Sequence, residues 1–176
     1  MGYRVVQWGT GAVGVEAIRG ILDHPDLELS GIKVYSEEKV GRDAGDLIGS
    51  GPVGVTAARH VDTADVDAVL YAPRHPDVDE AAAILASGAN LVTTAFAFHP
   101  ARMAPHDRDR LQQACAAGHS SLHGTGLNPG NLGVVVSIAL KSKPSGRSAS
   151  PNRRTGRHRS TAGPSPSKAH PRCRHT

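Results

Sequence analysis

The first 140 residues predict an α/β domain built on a doubly wound parallel sheet. Three observations carry this. Short apolar strand patterns alternate with helical ones, the connections are long enough to be crossover helices, and a glycine-rich turn joins the first strand to the first helix. Strands separated by about ten or more helical residues imply βαβ units, and so parallel pairing with helices on both faces.

The elements follow in order. Tyr3–Trp8 reads as the first strand and ends in Gly9-Thr10-Gly11-Ala12-Val13-Gly14. A helix follows, with Val13, Ala17, Ile18, Ile21 and Leu22 assigned to one face, and His24-Pro25 stops it. Leu27–Tyr35 is a second strand, Gly54–Ala58 a weak one and Asp67–Ala72 a stronger one closed by Pro73. Val78–Ser87 is helical, with Val78, Ala81, Ala82 and Leu85 inward and Gly88 as its stop. Asn90–Thr94 is a strand, Pro105–Ala117 a helix ending at Gly118, and Ser120–His123 a short strand. A further apolar helix is expected from Asn131 to Leu140.

The turn Gly9-x-Gly11-x-x-Gly14 has the spacing of a Rossmann-type dinucleotide fingerprint. Gly9 permits the tight turn, Gly11 lets a diphosphate approach the backbone, and Gly14 lets helix and strand pack closely. The head of the helix then offers unpaired N–H groups and a partial positive charge. Gly9, Thr10, Gly11, Ala12, Val13 and Gly14 are thus the candidate diphosphate residues. The strand ends at Ala72-Pro73 and Thr94-Ala95 should line the same crevice, because ligands of parallel sheets bind at the carboxyl edge.

NAD(H) or NADP(H) is the expected cofactor. NAD-selective domains place an acid near the end of the second strand, roughly 20 residues on. Here that region reads Lys33-Val34-Tyr35-Ser36-Glu37-Glu38-Lys39. Lys33, Ser36 and Lys39 suit a ribose 2′-phosphate, whereas Glu37 or Glu38 suits a hydroxyl, and the balance leans to NADP(H).

The stretches Val5–Gly14, Thr93–Phe96 and Gly124-Thr125-Gly126-Leu127-Asn128-Pro129-Gly130-Asn131 resemble the N-terminal domain of dihydrodipicolinate reductase-like proteins. The likeness runs from about residue 3 to about residue 138 and points to the 2,4-diaminopentanoate dehydrogenase-like branch. It implies a nicotinamide-dependent oxidoreductase acting on an imine or amine, with Ala72-Pro73 and Thr94-Ala95 flanking the nicotinamide. The chain departs from the amine dehydrogenase pattern at Val34, where relatives tend to carry an acid. It also departs in length, since the family adds a second α/β domain for the substrate and forms oligomers at full length.

Charge divides the chain. Residues 1–140 hold ten Lys or Arg against sixteen Asp or Glu, whereas 141–176 hold ten Lys or Arg and no acid. The last 36 residues also lack Val, Ile, Leu, Met and aromatic side chains, so no core and no order is expected there. Such a composition is what a GC-rich gene yields out of frame. The expectation is a frameshift near residue 140, leaving a truncated and inactive oxidoreductase. A basic arm for nucleic acid is the competing reading, with no aromatics interleaved for base stacking. A stand-alone dinucleotide-binding regulatory module is a further alternative.

Cys115 and Cys173 form no CxxC pair, and His99, His106, His119 and His123 match no zinc spacing, so no metal is expected. No signal peptide or membrane segment is legible, because no apolar run nears the roughly 18 residues a span needs. A cytoplasmic protein is expected, with no catalytic proton donor assigned.

Overall fold

The computed structural model describes residues 2–97 and 99–126. The helix expected from Asn131 and the basic tail lie outside the described residues. Among the described residues, six strands form one parallel sheet: β1 (Tyr3–Trp8), β2 (Leu27–Lys33), β3 (Ala57–Ala58), β4 (Ala68–Tyr71), β5 (Asn90–Thr93) and β6 (Leu122–Gly124). Four α-helices of the same residues lie between them: α1 (Ala12–Asp23), α2 (Ala44–Ile48), α3 (Val78–Ala86) and α4 (Pro105–Gly118). The spatial order is β3-β2-β1-β4-β5-β6, so the winding reverses between β1 and β4. That reversal is the switch point at which doubly wound sheets open a crevice.

The side-chain period of two sorts the core into layers. Val5 faces one side with Ile18 and Ile21 of α1, Leu29 and Ile32 of β2, and Ile48 of α2. Val6 and Trp8 face the other with Val69, Tyr71, Leu85 of α3, Leu91, and Leu111 of α4. β1 is therefore buried on both faces, as a central parallel strand must be.

The inward face of α1 differs from the expected one. Gly14, Ile18 and Ile21 are its buried residues, whereas Val13 and Leu22 are exposed. The glycine sits against the strand, which rotates Val13 out of the core and toward the crevice. α2 is a five-residue helix with no apolar period to announce it; the Asp43 carboxylate fixes it by accepting from the Gly45 N–H at 2.7 Å. The expected strand Gly54–Ala58 shortens to Ala57–Ala58, and the second strand stops at Lys33.

The end of α4 is also different. Gly88 takes the left-handed conformation expected of a stop (φ +100°), but Gly118 remains helical and His119 turns left-handed (φ 53°). Gly118 is needed for contact instead, since a Cβ there would stand 1.9 Å from the Leu85 carbonyl oxygen. The absent side chain lets the end of α4 rest against the end of α3.

Candidate cofactor site

The crevice at the carboxyl edge is built upward from β1. Gly9 leaves the strand with φ +90°, and a Cβ there would lie 2.9 Å from the Ala72 carbonyl oxygen. Its N–H donates to the Lys33 carbonyl (2.9 Å), while the Ala72 N–H donates to the Trp8 carbonyl (2.9 Å). The turn is thus tied to β2 on one side and to the end of β4 on the other. Gln7, fully buried in β1, adds a brace from below: its Nε2 donates to the Gly9 carbonyl at 2.8 Å. The sequence signal for Gln7 was a polar residue inside a strand apolar on both faces.

Gly11 is the N-cap of α1 with no side-chain cap, and no acid occupies the first turn. A Cβ on Gly11 would meet nothing within 4 Å, whereas one on Gly14 would lie 2.0 Å from the Gly9 oxygen. The two glycines therefore do different work. Gly14 sets helix against strand, and Gly11 keeps a concave main-chain surface open before the uncapped N–H groups. An anionic diphosphate fits such a surface by hydrogen bonding and by the helix dipole.

Gly9, Thr10, Gly11, Ala12 and Val13 share the wall of a crevice of about 680 Å³ with Ala72, Pro73, Thr94 and Ala95. Nine of the ten candidate residues thus come together, and Gly14 lies behind them in the packing layer. Tyr35, Ser36, Lys39 and Arg74 complete the wall. A second groove, of about 730 Å³, runs between α3 and α4, but it lies along helix flanks, away from the strand ends.

The residues after β2 separate by role. Val34 is fully buried, so the position at which an acid was sought faces the core and not the crevice. Glu37 pairs with Arg59 at 2.7 Å, and the Arg59 guanidinium also donates to the Tyr35 carbonyl. The Lys33 ammonium donates to the Arg59 carbonyl and lies over the Trp8 and Tyr35 rings. Lys39 faces the glycine turn, donating to the Thr10 carbonyl (2.9 Å) and approaching the Thr10 hydroxyl (3.4 Å). Of the three residues raised for a 2′-phosphate, Ser36 and Lys39 line the crevice and Lys33 does not.

Two phenols share one carboxylate oxygen beside the crevice. Tyr35 and Tyr71 donate to Glu80 Oε2 at 2.7 and 2.9 Å, and the Asp77 N–H donates to the Tyr71 hydroxyl at 3.0 Å. Burial, followed by the Glu80 hydrogen bond and charge, raises the Tyr35 phenol well above its ordinary range. Burial does the same for Tyr71, with Glu80 adding to it against an opposing hydrogen bond from the Asp77 backbone.

His99, His106, His119 and His123 are all exposed, and among the described residues no group of three His, Cys, Asp or Glu could hold a metal ion. No helix among them is long and apolar enough to cross a membrane.

A parallel sheet in this order, with a glycine turn at the switch point, defines a Rossmann-type α/β domain. No family model matches the chain. An amine dehydrogenase from Streptomyces virginiae is 40% identical over 151 residues, covering 77% of this chain and 41% of the relative. The solved amine dehydrogenase of Mycobacterium smegmatis superposes with a TM-score of 0.62 at 27% identity, over 70% of this chain and 39% of that one. Biliverdin reductase from Synechocystis sp. PCC 6803, solved with biliverdin and NADP+, shares the fold at a TM-score of 0.55 and 18% identity, over 79% and 43%. The chain is thus a homologue of an amine dehydrogenase with the fold of NAD(P)-binding oxidoreductases, and it spans 41% of the Streptomyces protein's length.

Proposed function

We propose that this chain binds NADP(H) or NAD(H) through Gly9, Thr10, Gly11, Ala12 and Val13, with Ala72, Pro73, Thr94 and Ala95 forming the nicotinamide side. Gly14 supports the loop by packing. The observation that carries the reading is the open main-chain surface at Gly11, set before the uncapped head of α1 and facing two further strand ends across one crevice. NADP(H) is favoured over NAD(H). Ser36 and Lys39 line the crevice just beyond the end of β2, no acid is among the described residues lining it, and Glu37 is paired with Arg59.

The bound nicotinamide would supply hydride transfer to or from an imine or amine, the chemistry suggested by the name of the amine dehydrogenase relatives. The chain's own part is to bind and orient. Titration of the full chain with NADPH and NADH, followed by nicotinamide fluorescence and thermal unfolding, tests this. Saturable binding with a raised melting temperature is expected; a melt unmoved by either dinucleotide at millimolar concentration refutes it.

A further inference from the structure

We propose that Tyr35 is the platform on which the adenine base of the dinucleotide stacks, and that Glu80 is the positioning residue that fixes the ring. This rests on the dinucleotide reading and extends it to a site that reading left unassigned. The end of the second strand serves the adenosine half of a dinucleotide in doubly wound sheets. β2 and β5 lie three strand spacings apart across the switch point, about 14 Å. One aromatic ring cannot serve both ends, so Tyr35 belongs to the adenosine side and Thr94-Ala95 to the other.

The ring is both available and immobilised. Tyr35 is 45% exposed and lines the crevice, yet it is held at three points. Its hydroxyl donates to Glu80 Oε2 at 2.7 Å, and that oxygen is itself fixed by Tyr71. Its carbonyl accepts from the Arg59 guanidinium. The Lys33 ammonium lies 5.1 Å from the ring centroid and helps hold the ring in place. Stacking on a ring already ordered avoids most of the entropy that binding would otherwise cost.

The test uses the full chain with ADP and with its fluorescent etheno-adenine analogue. Base stacking on an aromatic ring quenches the analogue, so a shortened lifetime is expected when it is bound to the wild type. Tyr35→Phe keeps the ring but loses its tie to Glu80, so it should hold ADP within about threefold of wild type and, like Glu80→Ala, lose only part of the quenching. Tyr35→Ala should weaken ADP by about 5- to 100-fold and abolish the quenching. Glu80→Ala should lose part of the quenching, and Glu80→Gln, which keeps an acceptor, should restore it. A bound analogue with the lifetime of the free one overturns the platform without need of any variant, and so does Tyr35→Ala binding ADP as wild type. If NADPH binds while the analogue stays unstacked, only the platform falls. If NADPH, NADH and ADP all fail to bind, the dinucleotide reading falls with it.

Discussion

Alanine at Gly11 and alanine at Gly14, introduced one at a time, should separate binding from packing within one four-residue turn. At Gly11 the backbone is ordinary (φ −74°) and a Cβ meets nothing within 4 Å. Losing glycine as an N-cap costs about 0.5–1 kcal/mol. Restricting the unfolded chain returns about 0.4–1 kcal/mol. The two nearly cancel, so Gly11→Ala should keep wild-type stability within about 0.5 kcal/mol. Its methyl, however, occupies the surface a diphosphate needs. Displacing the anion from one hydrogen bond of about 1.5–3 kcal/mol should weaken NADPH by about ten- to a hundredfold.

Gly14→Ala should do the reverse. Its Cβ would stand 2.0 Å from the Gly9 oxygen and 3.1 Å from Gln7 Nε2, so α1 must retreat from β1. Overpacking of this kind costs about 1–3 kcal/mol. Better helix propensity returns up to about 1 kcal/mol. A net loss of about 1–2 kcal/mol lowers the melting temperature by about 3–8 °C. Thermal unfolding with and without NADPH reads both effects. Gly11→Ala with the full NADPH-induced shift, or Gly14→Ala melting with the wild type, would refute the division of labour.

Other outcomes follow from the same geometry. Lys39→Ala should weaken both dinucleotides, since its ammonium stands at the diphosphate turn, and weaken NADPH about tenfold further through the 2′-phosphate; equal losses measured by titration would place Lys39 at the turn alone. Asp43 accepts backbone N–H groups from Val53, Gly45 and Gly54, which hold its carboxyl below the usual carboxylate range. A depressed folded value means stability present above the unfolded pKa of about 3.9 and lost as pH falls through the folded one. Circular dichroism melts below about pH 4 should therefore decline less steeply for Asp43→Asn than for wild type. Tyr35 and Tyr71 have raised values, so their contribution is complete below the unfolded phenol pKa of about 10 and fades as pH rises past it. Ultraviolet titration should find two phenols resistant to ionisation until the chain unfolds, and Glu80→Ala should bring both down.

Most of the sheet was legible because each strand and long helix carries its own period. Tyr3–Trp8, Val78–Ala86 and Asn90–Thr93 stand where their patterns put them. The errors fall where a local rule had two readings. Gly118 looked like a helix stop, since a glycine at a helix end can serve either conformation or contact, and only the nearby Leu85 carbonyl shows that contact is its role. Val13 fitted an apolar stripe, but the stripe's true centre is a glycine, which no hydrophobic pattern can register. α2 has a local cap from Asp43, but the bridge of Asp43 to Thr56 and the Asp43 bonds to the Val53 and Gly54 N–H groups come from ten or more residues on.

The class of fold, the glycine turn and its place between the first strand and helix can be read along the chain, because spacing encodes period and backbone freedom. Which residues after β2 face the crevice is settled by packing in three dimensions. It buries Val34, engages Lys33 and Glu37 elsewhere, and brings Tyr35, from one strand end, to Glu80 on a helix 45 residues later. Such meetings depend on strand order and side-chain direction, and neither is written in any short window of the chain.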